Sequence, residues 1–296
     1  MRQVRSQASG ELACARLCHL QLLKFMCSTE ANCSGVEAAK TRAPVDGATV
    51  DGWPQMTLAE VAKKTGYTPA ATRRSLFTLA RLGYVRQSGR NFMLAPKILL
   101  LSSAYLRSAH VEDALLPVLH DVVERFGDEA SVAVLSGDRI LYVAHAVDPR
   151  KLRPFAGTGV TQPAYLTSMG YVLLGTLDGK QFKKYLDELV MAPVTDATLT
   201  SKKAFAETVE KVRRERFAVA VDQIAYGVTA IAVPISLKSG GIVAALNSSG
   251  YTGRLDSEEL LEKRLPYLKE AAAKVAEILE VYPVLKETLL NGGPLG

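Results

Sequence analysis

The first 56 residues combine one helical pattern with a longer stretch that has none. Leu12, Leu17, Leu20, Leu23 and Met26 recur near helical spacing and predict an amphipathic helix within residues 1–27. Residues 28–56 are rich in Gly, Ala, Ser, Thr and Asp and show little apolar periodicity. We therefore expect residues 1–56 to form a leader made of one helix and a flexible loop.

Residues 57–82 carry the start and stop signals of two short helices. Thr57 and Glu60 have the spacing of a capping box, and Gly66 supplies the left-handed residue that ends a first helix. Thr68 and Pro69 are favoured N-cap and N1 residues for a second helix. Two short helices joined by a glycine-containing turn are typical of a helix-turn-helix motif.

A predicted hairpin follows the second helix. Residues 83–87 and 91–94 flank a Ser-Gly turn, which indicates the wing of a winged helix-turn-helix domain over residues 57–96. Residues 97–109 predict a linker helix. On the second helix, the residues expected to face inward are Ala71, Leu76, Leu79 and Leu82, and those expected to face solvent are Thr72, Arg73, Arg74 and Ser75.

Residues 110–296 predict a different kind of domain. The predicted helices are Val111–Phe126, Leu166–Leu174, Gly179–Val190, Ser201–Arg216 and a long helix from Asp256. The predicted strands are Ser131–Leu135, Ile140–Ala146, Phe217–Asp222, Ala230–Ser236 and Ile242–Ser248. Helices beside strand hairpins favour an α+β domain built around one sheet, and the length of 296 residues also favours two domains.

Charge is concentrated where the helix-turn-helix pattern lies. Residues 57–107 hold nine basic side chains and one acidic side chain, a net charge of +8, whereas the whole chain carries +6. Such a segment is typical of a surface that binds a polyanion, although a solvated charged surface has the same appearance. The composition, 48% hydrophobic and 22% charged, excludes a wholly disordered or fibrous protein.

The second helix and the wing contain the candidates for DNA contact. The first turns of a recognition helix reach base edges in the major groove, and helix N-terminal amides donate to phosphate. Arginines on a wing suit phosphate or minor-groove contacts. The candidate DNA-binding residues are Thr68, Ala70, Ala71, Arg73, Arg74 and Ser75 on the helix and Arg86 and Arg90 on the wing.

Metal, membrane and catalytic signals are weak. All four cysteines, Cys14, Cys18, Cys27 and Cys33, lie in the first 33 residues without the close pairing of a zinc module, so we expect no metal site. The histidines are scattered, and no P-loop or nucleophile elbow occurs, so we expect neither an enzyme nor a cofactor. No run of 18 apolar residues predicts a membrane span, and no signal peptide is recognised, so we expect a cytoplasmic protein.

Several motifs resemble those of one family of regulators. The run from TLAEVAKKTGYTPAATRRSL to APKILLLSSAYL is similar to the DNA-binding domain and linker helix of the IclR family of bacterial transcription regulators. Further matches are SVAVLSGDRILYVA, TGVTQPAYLTSMG, YGVTAIAVPI and AALNSSG, in family order from about Thr57 to Val281. The likeness is strongest to the branch of PcaR, PcaU and PobR, which regulates the β-ketoadipate pathway of aromatic-acid catabolism.

The resemblance implies a homodimer or homotetramer that binds a palindromic operator. It also implies a GAF-like α/β effector domain at residues 110–296 that binds a small organic acid, aromatic or dicarboxylic. Carried over position by position, the family's effector-binding residues are Ser168, Met169, Gly170, Asp222, Ala230, Asn247 and Ser249. Helix capping and ordinary strand-end polarity are the alternative roles for these residues.

Two other functions stay open. The predicted leader helix is separated from Thr57 by about thirty residues, where the family has only a short loop, so the chain could be a regulator-derived sensor with impaired DNA binding. An enzyme that uses Ser168 as nucleophile is the other alternative, although the sequence places no base near it.

Overall fold

A computed structural model of the chain describes residues 55–108, 110–150 and 156–291. The chain divides into two compact units, one that ends at Ala104 and one that begins at Tyr105. The predicted leader helix and the four cysteines lie outside the described residues. The division falls within the predicted linker helix.

The described part of the first unit is a helix-turn-helix with a small antiparallel sheet in the order β1-β3-β2. Its elements are β1 (Met56–Thr57), α1 (Leu58–Thr65), α2 (Pro69–Arg81), β2 (Val85–Ser88) and β3 (Asn91–Leu94), followed by a 3-10 turn (Pro96–Ile98). Helix α3 (Leu99–Ser108) contains the boundary between the two units. Strand β1 was not predicted. It places Met56, assigned to the leader from the sequence, in a core with Phe92 and Leu76.

Both helices of the helix-turn-helix begin at the capping residues predicted from the sequence, and the first ends at the predicted glycine. The Thr57 amide donates to the Glu60 carboxylate at 2.7 Å, and the Glu60 amide donates to the Thr57 hydroxyl at 3.3 Å. Gly66 ends α1 in the left-handed region with φ +70°. The Thr68 hydroxyl caps α2 by accepting from the Ala71 amide at 3.3 Å. The chain therefore turns sharply between the helices and exposes the start of α2.

One face of α2 differs from the prediction. Thr72 and Ser75 are buried, and Leu82 is about half exposed. The inward-facing residues of α2 have the i, i+3, i+4, i+7 spacing of one helical stripe, and they are Thr72, Ser75, Leu76 and Leu79. The whole stripe packs inward, although two of its residues carry hydroxyl groups. Leu82 lies beyond the last residue of α2 and so leaves that stripe.

The second unit is built on a six-stranded antiparallel sheet in the order β6-β5-β4-β9-β8-β7. The strands are β4 (Glu129–Ser136), β5 (Arg139–Val147), β6 (Thr161–Pro163), β7 (Ala218–Val221), β8 (Val228–Ser236) and β9 (Ile242–Tyr251). The helices are α4 (Val111–Phe126), α5 (Ser168–Leu174), α6 (Gly179–Glu188), α7 (Lys202–Glu215), α8 (Leu265–Val281) and α9 (Pro283–Asn291). The predicted α+β class is confirmed. Strand β6 and helix α9 were not predicted.

The sheet has a separate core on each face. Helices α4 and α8 pack on one face, where Leu119 and Leu268 belong to the same buried cluster as the β9 residue Leu246. Helices α5 and α7 pack on the other face, where Met169 and Phe205 belong to the same buried cluster as Ala245. Because side chains alternate along a strand, Asn247 and Ser249 share the face of Ala245, and Ser248 shares the face of Leu246.

A buried arginine joins three parts of the second unit. Arg264 is 2% exposed and ends a π-helical segment, Glu259–Arg264, that precedes α8. Its guanidinium donates to the Ser248 hydroxyl at 2.8 Å, to the Asp128 carboxylate at 2.6 Å and to Glu259 at 3.2 Å. Asp128 precedes β4, so the contacts fix β9, β4 and the start of the C-terminal helix against one another.

Helix α5 sits unusually close to the turn before it. A Cβ added at Gly170 would lie 2.0 Å from the carbonyl oxygen of Ala164. The Gly170 amide is occupied by the Thr167 hydroxyl at 2.9 Å. Only glycine fits here, because the neighbouring atoms are backbone.

We expect Arg264→Met to lower the free energy of unfolding by about 3 kcal/mol or more, because it leaves a buried carboxylate without its closest guanidinium. Arg254 is the matched control, since it donates to the same Asp128 at 3.2 Å but its side chain is 63% exposed. Arg254→Met should cost about 1 kcal/mol or less. Urea unfolding of both variants checks this, and equal losses would contradict it.

We expect Gly170→Ala to destabilise the second unit by about 3 kcal/mol, because the added methyl group overlaps backbone atoms. Gly179→Ala, at an exposed first position of α6 with no atom within 4 Å of the new Cβ, should be neutral or slightly stabilising. Thermal unfolding of the two variants gives the comparison. A melting temperature for Gly170→Ala equal to that of the wild type would contradict this prediction, because it would mean that the turn at Ala164 shifts without loss of stability.

Candidate nucleic-acid interface and ligand cavity

The N-terminal half of α2 presents most of the predicted DNA-binding residues on its surface. Thr68, Ala70, Arg73 and Arg74 are exposed, and Ala71 is partly exposed. Ser75 is 3% exposed and packs inward, so it is removed from the set of candidate contacts. Its hydroxyl made it look like a surface residue in the sequence, but its position places it on the buried stripe.

The arginines of this surface have no ion-pair partner within the described residues. Within the described residues, Arg73, Arg74, Arg86 and Arg90 form no ion pair, and all four are exposed. Arg86 lies on β2, and Arg90 lies in the turn between β2 and β3. A guanidinium without a carboxylate partner remains available to bind phosphate or a guanine edge. These four residues form the basic part of the candidate interface.

Two further residues, which the sequence did not single out, organise this surface. Phe77 is 44% exposed on α2, and the Arg73 guanidinium lies 5.4 Å from the centre of its ring. The same ring packs edge-on against Phe92 of β3 with 5.9 Å between ring centres. The Gln87 side chain closes the wing turn by donating to the Gly89 carbonyl at 2.9 Å. The i, i+4 spacing of Arg73 and Phe77 was the available signal.

Lys97 contributes to the basic segment but serves the fold. Its ammonium donates to the Leu82 carbonyl at 3.0 Å and lies 5.4 Å from the centre of the Tyr84 ring. The contact ties the end of the wing to the turn after α2. Not every one of the nine basic side chains is therefore free for a ligand.

A cavity lies on the α5 side of the large sheet. The space between its lining atoms, counted together with the open solvent at its mouth, is about 420 Å³. Its lining residues are Tyr142, Ala156, Leu166, Thr167, Ser168, Ala220, Gln223, Ile224, Val228, Ala230, Asn247 and Ser249. The walls are mostly apolar with a few polar groups, which is typical of a small-molecule site.

Four of the seven predicted effector-binding residues come together in this cavity: Ser168, Ala230, Asn247 and Ser249. Alternation along β8 and β9 brings Ala230, Asn247 and Ser249 to the same sheet face. Ser168 reaches it from the first residue of α5.

The other three predicted residues lie outside the lining. Met169 points into the apolar core beneath α5, and Gly170 is occupied by its contact with Ala164. Asp222 has a left-handed backbone with φ 51°, and its carboxylate accepts from the Gly227 amide at 2.8 Å and the Thr252 hydroxyl at 2.7 Å. That carboxylate closes the loop between β7 and β8.

Polar atoms in the cavity lack partners. The Ser168 hydroxyl and the Asn247 carbonyl oxygen are buried without a hydrogen bond. Gln223, by contrast, is engaged, because its side chain accepts from the Leu199 amide and donates to the Ala197 carbonyl. An unpaired buried polar group costs about 1–3 kcal/mol, so these two positions favour a bound polar ligand.

Burial affects the one phenol of the lining. Desolvation, with a smaller contribution from the charge of Glu129, raises the pKa of Tyr142 far above its ordinary value. Tyr142 is therefore a neutral hydrogen-bonding group. Among the described lining residues there is no histidine, carboxylate or lysine that could activate Ser168 as a base.

The described residues lack two further kinds of feature. No group of three or more metal-ligating side chains occurs there. No helix of the described chain is long and apolar enough to cross a membrane.

Comparisons with known proteins match both units. The family model described as bacterial transcriptional regulator IclR C-terminal matches residues 103–277, more than half of the chain. The model described as IclR helix-turn-helix domain matches residues 51–89.

Individual relatives agree with these matches. The chain is 35% identical over 218 residues to the Pca regulon regulatory protein of Pseudomonas putida, which covers 73% of this chain and 75% of that protein. A solved regulator from Rhodococcus sp. RHA1 is 32% identical with a TM-score of 0.62, over 77% of this chain and 91% of that one.

A further solved structure is that of a complex with a ligand. It is a double mutant of the inducer-binding domain of PobR from Acinetobacter in complex with 3-hydroxybenzoic acid. It is 27% identical to this chain with a TM-score of 0.50, over 54% of this chain and 94% of that one. The relatives confirm the branch expected from the motifs, and the chain belongs to the IclR family of DNA-binding transcriptional regulators.

Proposed function

We propose that α2 enters the major groove of an operator and that the wing contacts the adjacent backbone. The supporting observation is the set of four exposed arginines, Arg73, Arg74, Arg86 and Arg90, which have no ion-pair partner within the described residues. The Thr68, Ala70 and Ala71 positions lie at the start of α2, where small side chains let the helix approach DNA closely. Arg86 and Arg90 hold the wing at the phosphates.

The regulator works as a homodimer or homotetramer on a palindromic operator. Leu99, Leu100 and Leu101 are 65%, 60% and 48% exposed at the start of α3. Three consecutive leucines cover most of a helix circumference, and an exposed apolar patch of this kind favours association with a second copy. A two-fold axis would match two half-sites.

The cavity of the second unit binds a small organic acid, aromatic or dicarboxylic, that alters operator affinity. The unpaired Ser168 hydroxyl and the unpaired side-chain oxygen of Asn247 supply polar contacts, and Leu166, Ile224 and Val228 supply the apolar wall. The complex of the PobR domain with 3-hydroxybenzoic acid supports an aromatic acid. The protein acts in the cytoplasm without catalysis, since regulation requires only that the ligand bind two conformations with different affinity.

For DNA binding, we expect the Arg73→Ala, Arg74→Ala double variant to lose on the order of tenfold in affinity for a labelled random-sequence duplex. The slope of log affinity against log salt should fall by about 2 if both side chains neutralise phosphates. Fluorescence anisotropy at about 50 and about 200 mM salt measures both quantities.

The charge-matched control is Lys180→Ala, Lys183→Ala, which removes two exposed cations from α6 and should leave DNA binding unchanged. Wild-type binding that does not depend on salt would refute the proposal. So would a double arginine variant that binds as tightly as the wild type.

For the cavity, we expect Asn247→Leu to abolish the rise in melting temperature that a bound organic acid gives, because a ligand that binds only the native state stabilises it. The variant without ligand should be as stable as the wild type or more stable, since an unpaired buried oxygen is removed. Differential scanning fluorimetry with benzoate, 3-hydroxybenzoate and adipate makes the measurement.

Ser248→Ala is the control on the opposite face of the same strand. It removes a hydrogen bond to Arg264, so it should lower the melting temperature but keep the response to the acid. A response that survives in Asn247→Leu would place the acid elsewhere.

A further inference from the structure

The unpaired polar atoms of the cavity are closed off from solvent. Ser168 is 1% exposed and Asn247 is 4% exposed, and the Ser168 hydroxyl and the Asn247 side-chain oxygen are both buried without a hydrogen bond. A ligand that bonds to these two atoms must therefore displace part of the wall before it reaches them. A protein opens locally where few buried apolar contacts and few hydrogen bonds hold a segment in place.

Most of the wall belongs to elements that are firmly held. Ala230 of β8 pairs with Ala220 of β7 and with Ser249 of β9, so the sheet side of the cavity is part of a continuous ladder. Helix α5, which forms the opposite side, is buried along its whole length. The turn before α5 is fixed by the close approach of Gly170 to the backbone of Ala164. These parts of the wall cannot move without disrupting the sheet or the core.

The β7–β8 loop, residues 222–227, is the part of the described wall that belongs to neither the sheet nor a helix, and it contributes Gln223 to the lining. Its base is closed by two hydrogen bonds. The Asp222 amide donates to the Val228 carbonyl at 2.8 Å, and the Asp222 carboxylate accepts from the Gly227 amide at 2.8 Å. Because neither bond involves the tip of the loop, the base can stay closed while the tip moves.

The tip of the β7–β8 loop is attached to the α6–α7 segment, residues 189–201. The Gln223 side chain provides two of the hydrogen bonds, since its oxygen accepts from the Leu199 amide at 2.9 Å and its nitrogen donates to the Ala197 carbonyl. The Gln223 carbonyl also accepts from the Thr198 hydroxyl at 2.8 Å. A single residue of the cavity lining therefore connects the tip to the neighbouring segment through both its side chain and its backbone.

Two further hydrogen bonds complete the attachment, and little apolar packing supports it. Tyr226 is 58% exposed, and its hydroxyl accepts from the Asp196 amide at 3.1 Å. The Thr195 hydroxyl donates to the Asp222 carbonyl. Of the loop residues, Ile224 packs against the core of this face and is only partly buried. Water can replace such hydrogen bonds at little net cost, so the tip opens more readily than the sheet or α5.

We propose that the β7–β8 loop is the gate of the cavity and that Gln223 is its latch, which holds the loop against the α6–α7 segment. When the latch is released, the tip moves outward and a ligand enters or leaves. This inference rests on the proposed function, in which the cavity binds an organic acid. While the closed loop remains the main state, the rates of binding and release both rise with the open fraction, and the affinity stays nearly constant.

Alkylation of Ser168→Cys by iodoacetamide measures the opening without any ligand. The new thiol replaces a hydroxyl that is buried in the wall, so it reacts only when the cavity opens. Mass spectrometry of the peptide that contains residue 168 separates this thiol from the four native cysteines, which all lie in residues 1–33. Adding Gln223→Leu, which removes the hydrogen bonds of the latch side chain, should raise the alkylation rate about tenfold. Adding Tyr226→Phe, which removes one exposed hydrogen bond, should raise it less.

Ser248→Ala is the control, since it loses a hydrogen bond to Arg264 on the opposite face of the sheet and should leave the alkylation rate unchanged. Tyr226→Phe keeps the test decisive if Gln223→Leu folds poorly, as judged by its melting temperature, because the altered hydroxyl is at the surface. An alkylation rate that rises in neither latch variant would overturn the inference. An equal rise in Ser248→Ala would also overturn it, because the thiol would then react through general unfolding.

Stopped-flow mixing of the full chain with 3-hydroxybenzoate, with Ser168 unchanged, tests the consequence for a ligand. In Gln223→Leu the association and dissociation rates should rise by similar factors, and the dissociation constant should change by less than about threefold. A weaker affinity without faster association would overturn the latch, because Gln223 would then act as a contact of the acid. Absence of binding by any organic acid would refute the proposed ligand class, whereas the alkylation rates decide the gate in either case.

Discussion

The guanidinium of Arg264 sets the geometry on which the second unit depends. It is almost fully buried, lies 4.9 Å from the centre of the Phe126 ring and donates to Ser248, Asp128 and Glu259. Burying a charge is costly, and the cost is offset only when the geometry is good and every donor finds an acceptor. Because Ser248 is held on one face of β9, Asn247 and Ser249 are held on the other face. The part of β9 that lines the cavity is therefore held rigidly.

Polar groups in and beside the cavity are buried at an energetic cost. The Asn247 oxygen, the Ser168 hydroxyl and His145 Nε2 are buried without partners, although an apolar residue at each position would be more stable. Proteins retain such defects where a ligand relieves them. The first unit also carries groups without ionic partners, since its exposed arginines form no ion pair within the described residues and a bound anion would neutralise their charge.

Local signals were enough to predict much of this structure. The capping box at Thr57 and Glu60 and the N-cap at Thr68 act within one helical turn, so the sequence contains the whole interaction. The helix-turn-helix and wing follow from them.

The prediction for Ser75 was wrong because a polar side chain is expected at the surface, whereas this position lies on the buried stripe of α2. In the structure Gly170 and Asp222 serve backbone packing and loop closure, and a contact of either residue with the ligand stays a prediction. The neighbours of His145 depend on strand register between distant segments, and Arg264 meets Asp128 across 136 residues. Neither contact leaves a periodic signal.

The central claim is that one ligand cavity and one DNA-binding surface are coupled in the same molecule. Coupling of binding free energies is reciprocal, so DNA must change the affinity for the acid by the same factor that the acid changes the affinity for DNA. The most direct measurement is a titration of 3-hydroxybenzoate into the full chain, alone and saturated with a duplex that the protein has selected from a random pool. The account predicts that the dissociation constant of the acid changes, by about 5- to 150-fold. An identical dissociation constant with and without the duplex would contradict it.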